Sequence, residues 1–155
     1  MQTIREFMQS DHKRLDDLFE MFQERKDTDQ GEARRNFCPF RRGLFTHITW
    51  EEEILFPIFE ERTGMKDNGP TFVMRAEHRE IRDLLNRIRE KIKAGDFATE
   101  KMDGALDALL RSHNNKEENV LYPWIDQAVE NAKDQKKIFD AIREMTPHNT
   151  CGCSH

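Results

Sequence analysis

HITWEEEILFP (residues 47–57) recurs in this chain as HNNKEENVLYP (residues 113–123). In both copies a histidine is followed four residues later by a glutamate, and the copy ends in leucine, an aromatic residue and proline. Corresponding positions are 66 residues apart, since 113 − 47 = 66. Residues four apart lie on the same face of a helix. Each copy therefore predicts a histidine and a glutamate side by side on a helix.

The repeat extends upstream of both copies. MQSDHK (residues 8–13) corresponds to MRAEHR (residues 74–79) at the same offset, so each half supplies one further histidine. Apolar residues three and four positions away place these histidines on the inward faces of their helices. The duplicated set of candidate metal ligands is His12, His47, Glu51, His78, His113 and Glu117.

The composition favours a soluble helical protein with well-solvated faces. The 155 residues are 36% hydrophobic and 35% charged, with only 7 Gly and 5 Pro, and this length suits one domain. A net charge of −5 argues against a nucleic-acid or anionic-membrane partner, because both require a basic face. No apolar run has the length of a membrane span or of a signal-peptide core, so we expect a cytoplasmic location.

Apolar residues recur with helical periodicity along most of the chain. We predict long helices over about residues 3–26, 32–62, 70–94 and 96–122, and a shorter one over about 134–144. Short connections between long helices favour an all-α, antiparallel up-down-up-down four-helix bundle with a short fifth C-terminal helix. The bundle domain is predicted to span residues 1–146. Residues 147–155 are predicted to form a flexible tail rich in Cys and His.

The prolines predict where the second helix begins and where two helices bend or break. Pro39 is expected at a turn or in the first turn of the second helix, rather than in its interior. Pro57 lacks an N–H and crowds the carbonyl of Glu53, which predicts a kink or break just beyond the ligands. Pro123 occupies the same place in the second copy.

Inward-facing ligands from four helices at similar depth converge on the bundle axis. Four imidazoles and two carboxylates suit two metal ions, with two histidines on each and the carboxylates able to bridge. Such nitrogen and oxygen donors fit non-haem iron or manganese better than a structural zinc site, which is usually rich in cysteine. The sequence therefore predicts a dinuclear metal centre.

The competing interpretation is a set of singly satisfied core histidines or of polar residues on a solvated face. For one histidine alone that interpretation is the stronger one. A buried, unpaired ion costs several kcal/mol, and six such groups would exceed a net stability of about 5–15 kcal/mol. Metal coordination removes this conflict.

Tyr122 and the C-terminal tail can each be interpreted in two ways. Tyr122 is interpreted as ordinary bundle core, with a redox role near the metals as the alternative. In the tail, Cys151 and Cys153 with His148 and His155 are interpreted as incidental residues of a disordered terminus. The alternative is a soft-metal or disulfide site for metal transfer or redox sensing.

The duplicated pattern resembles that of the hemerythrin-like, HHE-type cation-binding domains over roughly residues 1–130. The ligand types stand in the order of that family's pattern, namely His12, His47, Glu51, His78, His113 and Glu117. The resemblance implies a four-helix bundle with two non-haem iron ions under an oxo or hydroxo bridge, in which the two glutamates also bridge. A mixed iron–manganese pair is the alternative cofactor.

One departure from the oxygen-carrying hemerythrins changes the expected function. Those proteins have an additional histidine one turn after the third-helix ligand, whereas this chain has Arg82 there. The counterpart after His12 is Asp16, which we expect to face outward. With two histidines per metal, both irons keep an exchangeable position. The chain therefore resembles the iron-sulfur-repair and nitric-oxide-responsive branch more than the reversible oxygen carriers.

The favoured function is a di-iron protein that binds or reacts with a small diatomic molecule or peroxide. Oxygen, nitric oxide and hydrogen peroxide are the candidates, and the protein would act as a sensor, scavenger or redox protein. One alternative is an iron storage or donation protein of the iron-sulfur-repair type. The other is a bundle that the metal only stabilises. No particular protein partner is predicted.

Overall fold

The computed structural model describes residues 2–147. The tail residues Cys151 and Cys153, together with His148 and His155, lie outside the described part. Two five-residue π-helical segments, π1 and π2, interrupt the α-helices. In chain order the segments are α1 (Ile4–Arg25), α2 (Gln30–Trp50), π1 (Glu51–Leu55), α3 (Phe56–Thr63), α4 (Pro70–Lys93), α5 (Glu100–Lys116), π2 (Glu117–Leu121), α6 (Tyr122–Ala128) and α7 (Ala132–Met145).

The helices form four long rods and a short fifth helix. Two rods are the single helices α1 and α4, whereas α2–π1–α3 and α5–π2–α6 each continue without a gap in the chain. The fifth helix, α7, buries Ile138 and Ile142 against the bundle. Residues 2–147 contain no strand, and the predicted all-α four-helix bundle with a short C-terminal helix is confirmed. Across the same residues no helix has both the length and the apolar character needed to cross a membrane.

The second rod begins earlier than predicted. Asp29 caps α2, and its carboxylate accepts the backbone N–H of Glu32 at 3.0 Å. Pro39 therefore lies inside α2, and the expectation that it marks the start of the helix is wrong. Pro39 offers no N–H to the carbonyl of Arg35. The helix continues nevertheless because its apolar face, including Phe40, is buried in the core.

Both copies of the ligand pattern enter a π-helical turn at their glutamate. The backbone N–H of Phe56 donates to the carbonyl of Glu51, and that of Tyr122 donates to the carbonyl of Glu117, five residues back in each case. In each copy the proline is the second residue of the next α-helix. In place of the predicted kink just beyond the ligands, the structure has a π-helical turn that begins at the ligand glutamate. Proline donates no hydrogen bond, so the shift in bonding pattern falls on the turn before it.

The buried core consists of two apolar clusters with the candidate ligands between them. On α1, His12 lies between Met8 of one cluster and Leu15 of the other. The same order recurs around His78 on α4. The ligand layer is therefore closed from both ends by apolar side chains.

A buried ion pair joins the end of the first rod to the start of the fourth. Lys26 is 4% exposed and Asp103 is 2% exposed, and Nζ of Lys26 lies 2.6 Å from Oδ2 of Asp103. Thr99 accepts a hydrogen bond from the ammonium at 3.1 Å and donates one to the carboxylate at 3.0 Å. These partners offset part of the cost of burying both charges.

We expect Asp103→Ala to lower the free energy of unfolding by about 3–5 kcal/mol, because it removes the buried counter-charge of Lys26. Only the exposed carboxylate of Glu100, 3.6 Å away, then remains beside the ammonium. Urea unfolding followed by circular dichroism measures the change. Arg111→Ala, which removes an exposed pair with Asp107, is the control and should cost less than about 1 kcal/mol. Equal small losses in both variants would contradict the expectation.

Candidate metal centre

All four rods contribute to one buried cluster of imidazoles and carboxylates. His12 comes from α1 and His47 from α2, while α4 and α5 supply the two other histidines. Each glutamate is the first residue of a π-helical segment. No member is more than 3% exposed, and the members are His12, His47, Glu51, His78, His113 and Glu117. The structure thus brings together all six residues singled out in the sequence.

The cluster divides into two donor sets that share one carboxylate. In the first set, here called the α1–α2 position, donor atoms of His12, His47 and Glu117 lie within 4.8 Å of one another. In the second, the α4–α5 position, the same limit encloses donor atoms of His78, His113, Glu51 and Glu117. Oε1 of Glu117 is 3.2 Å from Nε2 of His12, and its Oε2 is 3.2 Å from Nε2 of His113. Glu117 therefore presents one oxygen to each position.

The Nδ1 atom of every candidate histidine is hydrogen-bonded to a carboxylate outside the cluster. A protonated Nδ1 donates to the carboxylate, which leaves Nε2 free to bind a metal. The pairs are His12 with Glu118 at 2.7 Å, His47 with Asp11 at 2.8 Å, His78 with Glu52 at 2.7 Å and His113 with Glu77 at 2.9 Å. Ring orientation is thus set by side chains outside the ligand set.

Basic side chains hold some of these carboxylates in turn. Nη2 of Arg82 lies 2.9 Å from Oε1 of Glu52. Burial raises the pKa of Glu52, but hydrogen bonds from His78 and Arg82 outweigh burial and lower it to about 2. Lys116 bonds to Glu77 in the same way. Arg82, at the position where oxygen carriers have an extra histidine, therefore orients a ligand indirectly.

The carboxylates of the cluster keep nearby imidazoles protonated when no metal is bound. Burial alone lowers the pKa of His12, but hydrogen bonds with Glu117 and Glu118 outweigh it and raise the pKa to about 10. The same balance, with Glu51 as the strongest partner, raises the pKa of His78 to about 9. Metal binding at neutral pH must therefore displace protons from both imidazoles.

Three buried donor atoms support a cation at this place. Oε1 of Glu51, Nε2 of His78 and Oε2 of Glu117 make no hydrogen bond of normal geometry, although each lies 3.1–3.2 Å from another donor atom of the cluster. Buried polar atoms are almost always paired, and unpaired buried charges are costly. A metal ion at the α4–α5 position would satisfy all three atoms, so the residues fit a bound metal.

The region that contains the cluster matches one known protein family. The family described as Hemerythrin HHE cation binding domain matches residues 3–125. The chain belongs to this family. The match spans all four rods and all six cluster residues, so the predicted resemblance is confirmed. The chain contains a hemerythrin-type metal-binding domain, and the family supports iron as the metal.

Relatives of this hemerythrin-type domain include proteins named iron-sulfur cluster repair protein YtfE. The one from Edwardsiella ictaluri is 32% identical over 99 residues, covering 54% of this chain and 42% of that protein. The one from Enterobacter sp. (strain 638) is 34% identical over 89 residues, covering 52% and 40%. The chain thus matches less than half the length of these relatives, which support the predicted closeness to the repair branch. No solved structure shows a significant match.

The ring of Tyr122 belongs to the buried apolar core, as the favoured interpretation predicts, and its hydroxyl in addition reaches two carboxylates of the hemerythrin-type cluster. Its fully buried hydroxyl donates to Oε2 of Glu51 at 2.7 Å and lies 2.9 Å from Oε1 of Glu117. Burial and these two carboxylates raise its pKa well above the ordinary value. The sequence signal was available, because Tyr122 stands where the first copy has Phe56.

The four carboxylates that orient the histidines were not among the residues predicted from the sequence. Each adjoins a cluster residue in the chain, and Glu52 and Glu118 are related by the same 66-residue offset as the ligands. Asp11 and Glu77 are related in that way too. Adjacency alone did not identify them, because neighbouring helical residues face different directions. Asp16, by contrast, is exposed and belongs to neither donor set.

Removing either glutamate of the hemerythrin-type cluster should reduce metal content far more than removing Asp16. Glu117→Ala should lose most of the bound metal, because Glu117 belongs to both donor sets, and Glu51→Ala should lose much of it. Asp16→Ala should retain the wild-type content. Elemental analysis per chain, with circular dichroism as a check on folding, measures this. Loss of one metal ion from Asp16→Ala would show that the ligand set is wrong.

Apparent metal affinity should rise with pH. The raised pKa values mean that His12 and His78 are protonated near pH 6.5 in the metal-free protein and lose their protons only towards about pH 10 and 9. Raising the pH therefore removes a competitor for the metal. Chelator competition with Mn²⁺, corrected for protonation of the chelator, measures the effect. A constant affinity from about pH 6.5 to about pH 9 would contradict the assigned proton balance.

Proposed function

We propose that this domain holds two non-haem iron ions under an oxo or hydroxo bridge and binds or reacts with a small diatomic molecule or peroxide. The observation that carries the proposal is the pair of buried donor sets sharing Glu117. The proposed ligands are His12, His47, Glu51, His78, His113 and Glu117. The same donors suit manganese, so a mixed iron–manganese pair is the alternative.

Each iron would receive two imidazole nitrogens and carboxylate oxygens. Bound iron supplies Lewis acidity and redox chemistry. The chain supplies two histidines per position, and neither Arg82 nor Asp16 adds a donor to the sets. The small number of protein donors supports an exchangeable site on each iron, where oxygen, nitric oxide or hydrogen peroxide would bind.

Aromatic side chains keep the surroundings of the cluster dry. The ring of Phe56 stacks on His78 with centroids 5.6 Å apart and planes at 8°. Trp50 packs against His47 with centroids 5.9 Å apart. Both aromatic residues are almost completely buried. Exclusion of water strengthens electrostatic interactions at the centre and favours small, weakly polar ligands over larger polar substrates.

The second candidate is iron storage or donation for iron-sulfur cluster repair. It is favoured by the relatives named iron-sulfur cluster repair protein, although the matched region is less than half of those proteins. In this case the same ligands would release iron rather than retain it. For either candidate we propose a cytoplasmic role, and the net charge of −5 disfavours a nucleic-acid or anionic-membrane partner.

The test of the first candidate is the reaction of anaerobically prepared ferrous protein. Mixing with oxygen, nitric oxide or hydrogen peroxide in separate stopped-flow experiments should change the visible absorbance on a millisecond-to-second scale. Glu117→Ala, lacking the shared carboxylate, is the control and should show little of the change. If the metal content is two irons but none of the three molecules changes the spectrum, the first candidate is wrong, and iron donation or a metal that only stabilises the bundle remains.

Iron transfer separates the second candidate from the first. Ferrous protein is incubated with an apo-ferredoxin, and cluster formation is followed spectroscopically with a sulfide source present. A Cys151→Ser and Cys153→Ser variant tests whether the tail assists. Cluster formation faster than with an equal amount of free iron would support donation. Absence of transfer from both proteins would contradict it.

A further inference from the structure

We propose that the hydroxyl of Tyr122 is a seventh protein ligand, present at the α1–α2 position only, and that the two irons are therefore chemically different. This inference rests on the proposed function, because it requires that the cluster binds two irons. It concerns a residue that belongs to neither of the two His and carboxylate donor sets. The counterpart of Tyr122 in the first copy is Phe56, which has no oxygen to offer.

The donor atoms around the α1–α2 position are spaced as the ligands of one metal ion would be. The hydroxyl oxygen of Tyr122 lies 3.3 Å from Nε2 of His12 and 3.3 Å from Nε2 of His47. It lies 2.9 Å from Oε1 of Glu117, and that oxygen is 3.2 Å from Nε2 of His12. Metal bonds of about 2.1 Å place neighbouring donor atoms about 3 Å apart. The phenol oxygen thus sits where a further donor to the same ion would sit.

The two metal positions also differ in hydrogen bonding. The donor atoms that make no hydrogen bond of normal geometry are Oε1 of Glu51, Nε2 of His78 and Oε2 of Glu117. All three belong to the α4–α5 position, where Oε1 of Glu51 is 3.1 Å from Nε2 of His78. At the α1–α2 position the Tyr122 hydroxyl lies close to the corresponding atoms instead. A two-fold repeated ligand set is therefore made unequal by one oxygen atom.

The extra oxygen gives the two irons different properties. A phenolate is a hard, anionic donor, so it favours Fe(III) over Fe(II) at the α1–α2 position. It also fills one coordination site there. The iron at the α4–α5 position, with His78 and His113, then keeps more room for an exogenous ligand. A diatomic molecule or peroxide would bind first at the α4–α5 position.

Ligation requires the loss of one proton. The O–H bond of Tyr122 breaks as the iron–oxygen bond forms, with no change in the oxidation state of the iron. The proton is transferred to Oε2 of Glu51, which already accepts the hydrogen bond of the hydroxyl at 2.7 Å.

The experiment compares wild type, Tyr122→Phe and the double variant Phe56→Tyr with Tyr122→Phe, which moves the phenol to the α4–α5 position. All three are loaded with iron and oxidised to the ferric state. Iron per chain, visible absorption and resonance Raman spectra are recorded, and circular dichroism checks folding. Phenolate bound to Fe(III) gives a charge-transfer band in the visible range and enhanced tyrosinate vibrations.

We expect the band and the vibrations in wild type, their loss in Tyr122→Phe with at least one iron retained per chain, and their return in the double variant. If wild type binds two irons and its spectra equal those of Tyr122→Phe, the inference is wrong and Tyr122 is only a hydrogen-bond donor to Glu51. If wild type does not bind two irons, the proposed function fails, and the inference fails with it.

Discussion

The ionised, buried carboxylate of Glu117 is the feature on which the rest of the site depends. Burial opposes its ionisation, but the charge of His113 and the close contacts of His113 and His12 with its oxygens hold its pKa well below the ordinary value. A negative charge without solvent must be balanced by nearby cations. Protons on the imidazoles supply that balance in the metal-free protein, and metal ions would supply it in the loaded one. The four-rod architecture places the imidazoles around this charge.

The π-helical turns connect the backbone to this arrangement. Each begins at a cluster glutamate and ends before a proline, and π-helical turns inside α-helices often occur at functional sites. The carbonyl of Glu52, five residues before Pro57, accepts a hydrogen bond from Arg75 at 3.5 Å. The guanidinium of Arg75, on α4, therefore supplies this carbonyl with a hydrogen bond that the proline cannot donate. The same residues shape the helix and position the carboxylates.

The duplicated sequence produces an approximate two-fold arrangement that is unequal in detail. The imidazole of His12 is oriented by Glu118, whereas the equivalent His78 is oriented by Glu52, so each of these pairs joins the two halves of the chain. The halves therefore stabilise one another through the ligands as well as through the core. Tyr122 breaks the equivalence, because its hydroxyl enters the cluster from one side only.

The sequence by itself determined the all-helical fold, the inward-facing histidines and the six-residue candidate set. Helical periodicity and the 66-residue repeat can both be read directly from the order of residues, without knowledge of how the helices pack. Only the tertiary structure showed that Asp11 reaches His47 and that Tyr122 enters the cluster, because these contacts join residues 36 and 75 positions apart. It also placed Pro39 inside α2, since burial of an apolar face outweighed one missing backbone hydrogen bond. Local pattern predicts which face of a helix points inward, whereas packing between rods decides which atoms meet there.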